Sequence, residues 1–318
     1  MRAYALGLLA LNLLTLIWGT TFVVVKGAVA EISPSLLVLL RFLVAGLFFL
    51  PFLFRLPPGA LGPGLELAFW LLLGYASQAI GLEHTSASRS AFITALNVVL
   101  VPLFLSLAGR RVEGVWLAAF LAFLGVGLLS YDPRQPPLNV GDLWTLLTAL
   151  TYAIYIVRLE VHAKAVPSLP LTAVQVLGTG LFALPWALAE GFRLEGVPWG
   201  AVLYLGVAAT ALTTWLQTWG QKHVPAPQAA ILYTLEPVWA TLFAFWSWGR
   251  GWGLQASWGP FWSSWPPSRL SADPQHDPLA QGGQGVAEGG LPLCGDQDGV
   301  HQGFHRLLGG EGPGDVHL

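Results

Sequence analysis

Nine stretches of this chain stay apolar for about the length of a membrane crossing, and that succession limits the fold more than any other feature. They lie at residues 4–25, 35–54, 65–82, 90–108, 114–131, 142–158, 170–189, 198–220 and 228–246. At 1.5 Å per residue, ~20 mostly apolar residues cross the hydrocarbon layer as a helix. None of the runs alternates apolar with polar residues as a half-buried strand would. The expectation is an all-α polytopic membrane protein with nine recognisable transmembrane helices. Composition agrees: 54% of residues are hydrophobic and 10% charged, against roughly 25% charged in a soluble domain. One globular core cannot hide that much apolar material, so the lipid bilayer is the solvent.

The connectors carry turn chemistry, among them Ser33-Pro34, Pro57-Pro58-Gly59, Pro136-Pro137 and Pro225-Ala-Pro227. Arg2 followed by an uncharged run to Val25 has the outline of a signal peptide. The run is longer than the ~7–15 apolar residues of such a segment, and further spans follow it. It reads as the first helix. A net charge of -2 leaves no basic footprint for nucleic acid, and the lone Cys294 excludes an intrachain disulfide framework.

The chain also repeats itself. Residues 217–237 lie over residues 78–98 without a gap, at an offset of 139. Gln78/Gln217, Gly81/Gly220, His84/His223, Ala87/Ala226, Ala91/Ala230 and Leu96/Leu235 coincide, and Asn97 faces Glu236. The unit runs five helices, over residues 4–131, and restarts for residues 141–246. An odd number of helices sets the second copy into the membrane upside down. Two inverted five-helix repeats are therefore expected, ten helices in all, with a small-molecule site near the bilayer midplane. Lysine and arginine in the connectors count seven on the side of Arg2 and four on the other. That bias places the N-terminus in the cytoplasm, and with it a multi-pass protein of the cytoplasmic (inner) membrane.

The text changes at about Ser247. Sixteen of the 37 glycines fall in residues 247–318, and Trp248, Trp252, Trp258, Trp262 and Trp265 cluster among Gly, Ser and Pro without helical period. A disordered tail, an interfacial segment and out-of-frame translation compete. Tryptophan has the single codon TGG, so reading each codon from its third base turns every Trp into a triplet ending in TG, which encodes Leu, Val or Met. Read so, residues 246–265 become a tenth hydrophobic helix where the repeat requires one. Resequencing the 3′ end and finding one intact frame would sink that reading. His301 and His305 have i, i+4 spacing, but their glycine-rich context makes a poor helix and no metal site is expected.

Three passages carry a family likeness. Trp18-Gly-Thr-Thr-Phe22 and Arg41-Phe-Leu-Val-Ala45 resemble the opening of an EamA domain. Thr85 to Asn97, followed by Val101-Pro102, resembles its passage from third to fourth helix, and Ala226–Ala230 with Leu235-Glu-Pro-Val238 resembles the matching passage of a second copy. Over residues 5–246 the chain is similar to the EamA-like branch of the drug/metabolite transporter superfamily. The resemblance implies ten helices, both termini cytoplasmic, and export or exchange of small organic metabolites such as amino acids. The missing tenth helix departs from it, which raises the alternative of an inactive, truncated product.

Candidate residues follow from polarity at membrane depth. Glu236 comes first: a carboxylate at a helix centre costs roughly 2.5–3.5 kcal/mol on insertion scales, so it faces a cavity or a partner. It is the proton-coupling candidate, with satisfaction of a polar neighbour as the bland alternative. Trp18, Thr21, Gln78, Asn97, Tyr152, Tyr155, Gln217 and Tyr233 are candidates for lining a solute site, weighed against interhelical hydrogen bonding and packing. Arg41 is expected to snorkel to the outer interface. His84 and His223 read as helix-end residues. No His-Glu-x-x-His, Gly-x-Ser-x-Gly or paired aspartate supports an intramembrane enzyme, and no Gly-rich loop with Lys-Ser/Thr supports nucleotide use. No cofactor is expected. Partners are the bilayer and a small solute, with a homodimer left open.

Overall fold

A computed structural model describes residues 2–112, 114–129 and 138–239, which are helical apart from turns and connectors. The helices are α1 (Arg2–Ala28), α2 (Pro34–Leu47), α3 (Leu50–Leu53), α4 (Leu61–His84), α5 (Ala87–Thr94), α6 (Asn97–Leu107), α7 (Val115–Leu129), α8 (Val140–Ala165), α9 (Ser168–Ala189), α10 (Trp199–Gly206), α11 (Thr213–His223) and α12 (Ala226–Tyr233). A π-helical stretch, Val207–Leu212, joins α10 to α11. The far end of the ninth run, the tail from Ser247 with its proposed tenth helix, and the His301/His305 pair lie outside the described residues.

Local chemistry sets the boundaries. Ser33 caps α2, its hydroxyl accepting the Leu36 N–H, and Pro34 takes the first turn, where a missing N–H costs nothing. Ser86 caps α5 in the same way, and Asn139 with Asp142 forms a capping box on α8. Pro51 cannot donate to the carbonyl of Leu47, so the run expected over 35–54 ends as a helix at Leu47, and the short turn α3 follows.

Among the described residues, six helical stretches are long and apolar enough to cross a membrane: Arg2–Ala28, Leu61–His84, Arg89–Leu107, Val140–Ala165, Ser168–Ala189 and Trp199–His223. Pro34–Leu47 and Val115–Gly125 are shorter apolar helices. Six of the first eight expected runs hold a stretch of spanning length, while the runs 35–54 and 114–131 hold only the two shorter helices. Their outer faces are apolar: Leu117, Leu121, Leu124 and Leu128 of α7 and Leu181, Leu184 and Leu188 of α9 are exposed at helical spacing. Thr145, Thr148, Gln175, Thr218 and Gln221 are buried inside. Apolar outside and polar inside is the arrangement lipid imposes, and the chain is a multi-pass membrane protein.

The offset seen in the sequence recurs in the helix ends. α4 ends at His84 and α11 at His223, α5 covers Ala87–Thr94 and α12 covers Ala226–Tyr233. The Thr85 N–H donates to Gly81 O, and Val224 N–H to Gly220 O. The helix breaks match too. Ala95 and Leu96 form a turn between α5 and α6, and Thr234 interrupts α12 before helix resumes at Leu235. In the second case Pro237 leaves the Tyr233 carbonyl without its i+4 donor. No proline accounts for the first.

Packing crosses between the halves. α4 lies antiparallel to α8, from Gly81 against Gly141, through Ser77 hydrogen-bonded to Thr148, to Glu66 paired with Arg158 and His162. α1 lies antiparallel to α11 and α10, from Gly7 against Gly220 to Thr20 bonded to Tyr204. α2 and α9 also run antiparallel: Ser35 donates to Glu190, Phe42 meets Gly180, and Gly46 meets Leu177.

Both ends of α8 hold a buried carboxylate that grips the start of a broken helix. Asp142 accepts from Thr85 Oγ1 at 2.8 Å and pairs with Arg89 at 3.0 Å, beside the start of α5. Glu160 accepts the Ala226 N–H at 2.9 Å, at the start of α12, and pairs with Lys164 at 2.6 Å and Arg110 at 3.4 Å. Arg110 and Lys164 are half exposed and rehydrate if the acid is lost, but the Ala226 N–H is left buried without its acceptor. Glu160→Ala is therefore expected to cost about 2 kcal/mol, and Glu160→Gln about half, in thermal unfolding of the detergent-purified protein. Equal melting of both variants and wild type would show that the contact contributes nothing.

Candidate functional site

The broken helices open onto one cavity. α1 supplies Trp18, Thr21 and Phe22 to its wall, and α4 supplies Gly74, Tyr75 and Gln78. Thr94 and Asn97 flank the first helix break, while Tyr233 and Glu236 flank the second. Thr148 and Tyr152 of α8 and Arg41 of α2 complete it.

Aromatic rings form much of the wall. Trp18 lies edge-on to Tyr152 at 5.7 Å and tilted against Tyr233 at 5.6 Å, which fixes three rings from α1, α8 and α12 against one another. Hydrogen bonds behind them hold the hydroxyls. Tyr152 OH donates to Gln217 Oε1 at 3.3 Å, and Tyr233 OH to Gln221 Oε1 at 3.1 Å. Gln221 Nε2 in turn donates to the carbonyl of Ile156 at 3.0 Å. Rings anchored this way present apolar faces to a solute while their polar ends stay paired.

Of the nine candidates from the sequence, Trp18, Thr21, Gln78, Asn97, Tyr152, Tyr233 and Glu236 line the cavity. Tyr155 and Gln217 do not. Tyr155 is fully buried behind the wall, where it donates to Gln175 Oε1 at 3.0 Å, and Gln217 acts through Tyr152. On α8, Tyr152 and Tyr155 are only three residues apart, and the sequence cannot say which of two neighbouring faces meets the cavity. Thr94 and Asn97 carry another signal: the Thr94 hydroxyl and the Asn97 Oδ1 are buried and have no hydrogen-bond partner among the described residues. Glu236 likewise makes no hydrogen bond or ion pair among them.

Arg41 corrects an expectation. It does not snorkel: it is 3% exposed, with Nε donating to Thr210 Oγ1 at 3.0 Å and Nη2 to the Ala209 carbonyl at 3.4 Å. Both acceptors lie in the π-helical stretch, where wider winding frees a carbonyl that an α-helix would occupy. Its guanidinium carbon also sits 4.5 Å from the centre of the Tyr75 ring. The helix of the run 198–220 reaches the cavity only from behind, through Gln217 and Gln221, and α2 contributes Arg41 to the wall. The missing signal was the π turn, which composition does not announce.

The family model described as the EamA-like transporter family matches residues 5–131 and again 139–259, one match to each half of this architecture. The chain belongs to the EamA-like transporter family. The second match runs past the compositional boundary at residue 246. An uncharacterized transporter of Archaeoglobus fulgidus is 32% identical over 244 residues, covering 74% of this chain and 76% of that protein. A biotin transporter of Escherichia coli K12 is 27% identical over 241 residues, covering 70% and 78%. A solved crystal structure of a protein, 19% identical, superposes with a TM-score of 0.61 over 81% of this chain and 92% of its own, which shows the fold. An EamA-like chain of this kind is a membrane transporter.

Proposed function

We propose that this EamA-like protein is a secondary transporter that moves a small organic metabolite by alternating access between two inverted five-helix repeats. The single observation that carries the reading is the cavity at the paired helix breaks. Two repeat-equivalent helices are interrupted at the same register, and each presents a polar side chain, Asn97 or Glu236, at the interruption. Backbone departs from helix at membrane depth only where protein or a water-filled cavity satisfies it, and transporter sites are built there. The antiparallel course of α2 and α9, equivalent helices of the two copies, supports inversion.

In this reading Trp18, Thr21, Gln78, Asn97, Tyr152 and Tyr233 contact the solute, Tyr155 and Gln217 position the wall, and Glu236 exchanges the coupling proton. The N-terminus lies in the cytoplasm, and the protein works in the inner membrane as an exporter or exchanger. Amino acids fit a cavity that offers a cation, a carboxyl and aromatic faces. Biotin is a second cargo, favoured by the relatives named for it. Reconstituted protein is expected to catalyse counterflow of a labelled solute from these classes, at least about tenfold above empty vesicles. Absence of any flux from a chain with the restored tenth helix would defeat the proposal. Flux from that chain but not from the sequence as it stands would identify the latter as an inactive truncated product, with residues 141–246 an incomplete second repeat.

A further inference from the structure

Arg41 is a buried cation that the described protein does not neutralise. No carboxylate among the described residues lies within 4.0 Å of it; the ion pairs formed there involve other groups. Its partners are a threonine hydroxyl, one backbone carbonyl and the face of Tyr75, and among the described residues none accepts from the Nη1 amino group. A guanidinium placed at membrane depth with neutral partners only is costly to keep. It also lines the cavity, together with the unpartnered Asn97 Oδ1 and Thr94 hydroxyl. Nε is tied to Thr210, so the planar group is held in one orientation, with part of its donor fork unspent.

We infer that Arg41 is the anchor for a carboxylate of the transported solute, and that the site takes organic carboxylates in preference to their neutral counterparts. This rests on the transporter reading above and names its substrate class. A carboxylate oxygen on Nη1 accepts a charge-assisted hydrogen bond where a water molecule or neutral amide offers a weaker one. The Asn97 amide and Thr94 hydroxyl then meet the remaining polar part of the solute, and the rings of Trp18 and Tyr75 its carbon frame. The π turn is the device that makes this work. It sets the Thr210 hydroxyl and the Ala209 carbonyl against the guanidinium, neutral acceptors where a carboxylate would have satisfied the charge and closed the site to an anion.

The test compares acids with their primary carboxamides on the purified full chain. Biotin, L-phenylalanine and 3-phenylpropanoate are each titrated against their amides, with binding followed by calorimetry and by the shift in thermal unfolding. At least one acid is expected to bind about tenfold or more tighter than its amide. Arg41→Gln is expected to remove that preference, so that acid and amide bind alike. Acid and amide behaving alike on the unmodified protein overturns the inference, including the case where neither binds. So does an acid preference that survives Arg41→Gln. The wild-type comparison stands even where the variant fails to fold. Acid binding without flux in vesicles, with the tenth helix restored as well as without it, sinks the transporter reading and leaves the anchor. Flux of neutral solutes without acid preference does the reverse.

Discussion

Vesicles carrying Glu236→Gln are expected to lose solute accumulation driven by a pH gradient while still exchanging labelled solute across the membrane. The carboxyl lines the cavity beside the Thr234 break and makes no hydrogen bond or ion pair among the described residues. If the transporter reading holds, a carboxyl at this depth without such a partner is the group to exchange a proton with the cavity. One pH unit stores about 1.4 kcal/mol per proton, enough for a roughly tenfold accumulation of a solute exchanged one for one. Glutamine fills the same space and carries no exchangeable charge, so accumulation should fall to the equilibrium ratio. Counterflow needs only the site and the rocking of the halves, and should persist. Accumulation equal to wild type would remove Glu236 from coupling and leave it as a polar wall residue. Loss of counterflow as well would assign it to solute binding.

The second large effect is structural, at the crossing of α4 and α8. A Cβ on Gly141 would stand 2.7 Å from the Gly81 carbonyl oxygen and 2.9 Å from the His84 carbonyl carbon. Both are backbone atoms of a helix end, so neither can swing aside as a long side chain can. Gly141→Val must push the two helices apart along an interface that includes the Ser77–Thr148 and Thr85–Asp142 hydrogen bonds. A loss of about 3 kcal/mol or more is expected, the upper end for overpacking, read as a lower midpoint in thermal unfolding. Gly125→Ala on α7 is the matched control. Its Cβ would meet nothing within 4 Å, and alanine is the better helix former, so the midpoint should hold or rise slightly. Equal stability of Gly141→Val and wild type would mean that the helices have room to separate at this crossing.

Much of the architecture was legible in the sequence because lipid enforces it. Runs of apolar residues long enough to span must be helices, and six of the first eight runs hold helical stretches of spanning length. The offset of 139 carried further than the residues it matched, since helix ends and helix breaks recur at the same spacing. Pro237 accounts for one of those breaks. Polarity inside apolar runs also picked out the side of the molecule that matters, which is why Trp18, Asn97, Tyr233 and Glu236 come together at one cavity.

What the sequence could not determine was which polar group faces the cavity and which supports it from behind. Tyr152 and Tyr155 look alike along the chain, yet one lines the space and the other bonds to Gln175. That choice depends on the rotation of α8 against α4 and α11, a property of packing between distant segments. Arg41 is the clearest case. By position alone, snorkelling to the interface was the cheaper course. Only the approach of the Val207–Leu212 π turn, with the Thr210 hydroxyl and the Ala209 carbonyl, offers the guanidinium acceptors at depth. The stretch from Gln217 to Pro237 supplied the repeat, the break and the carboxylate; tertiary structure set the cation within the same cavity, because the acceptors that hold it come from the other half of the chain.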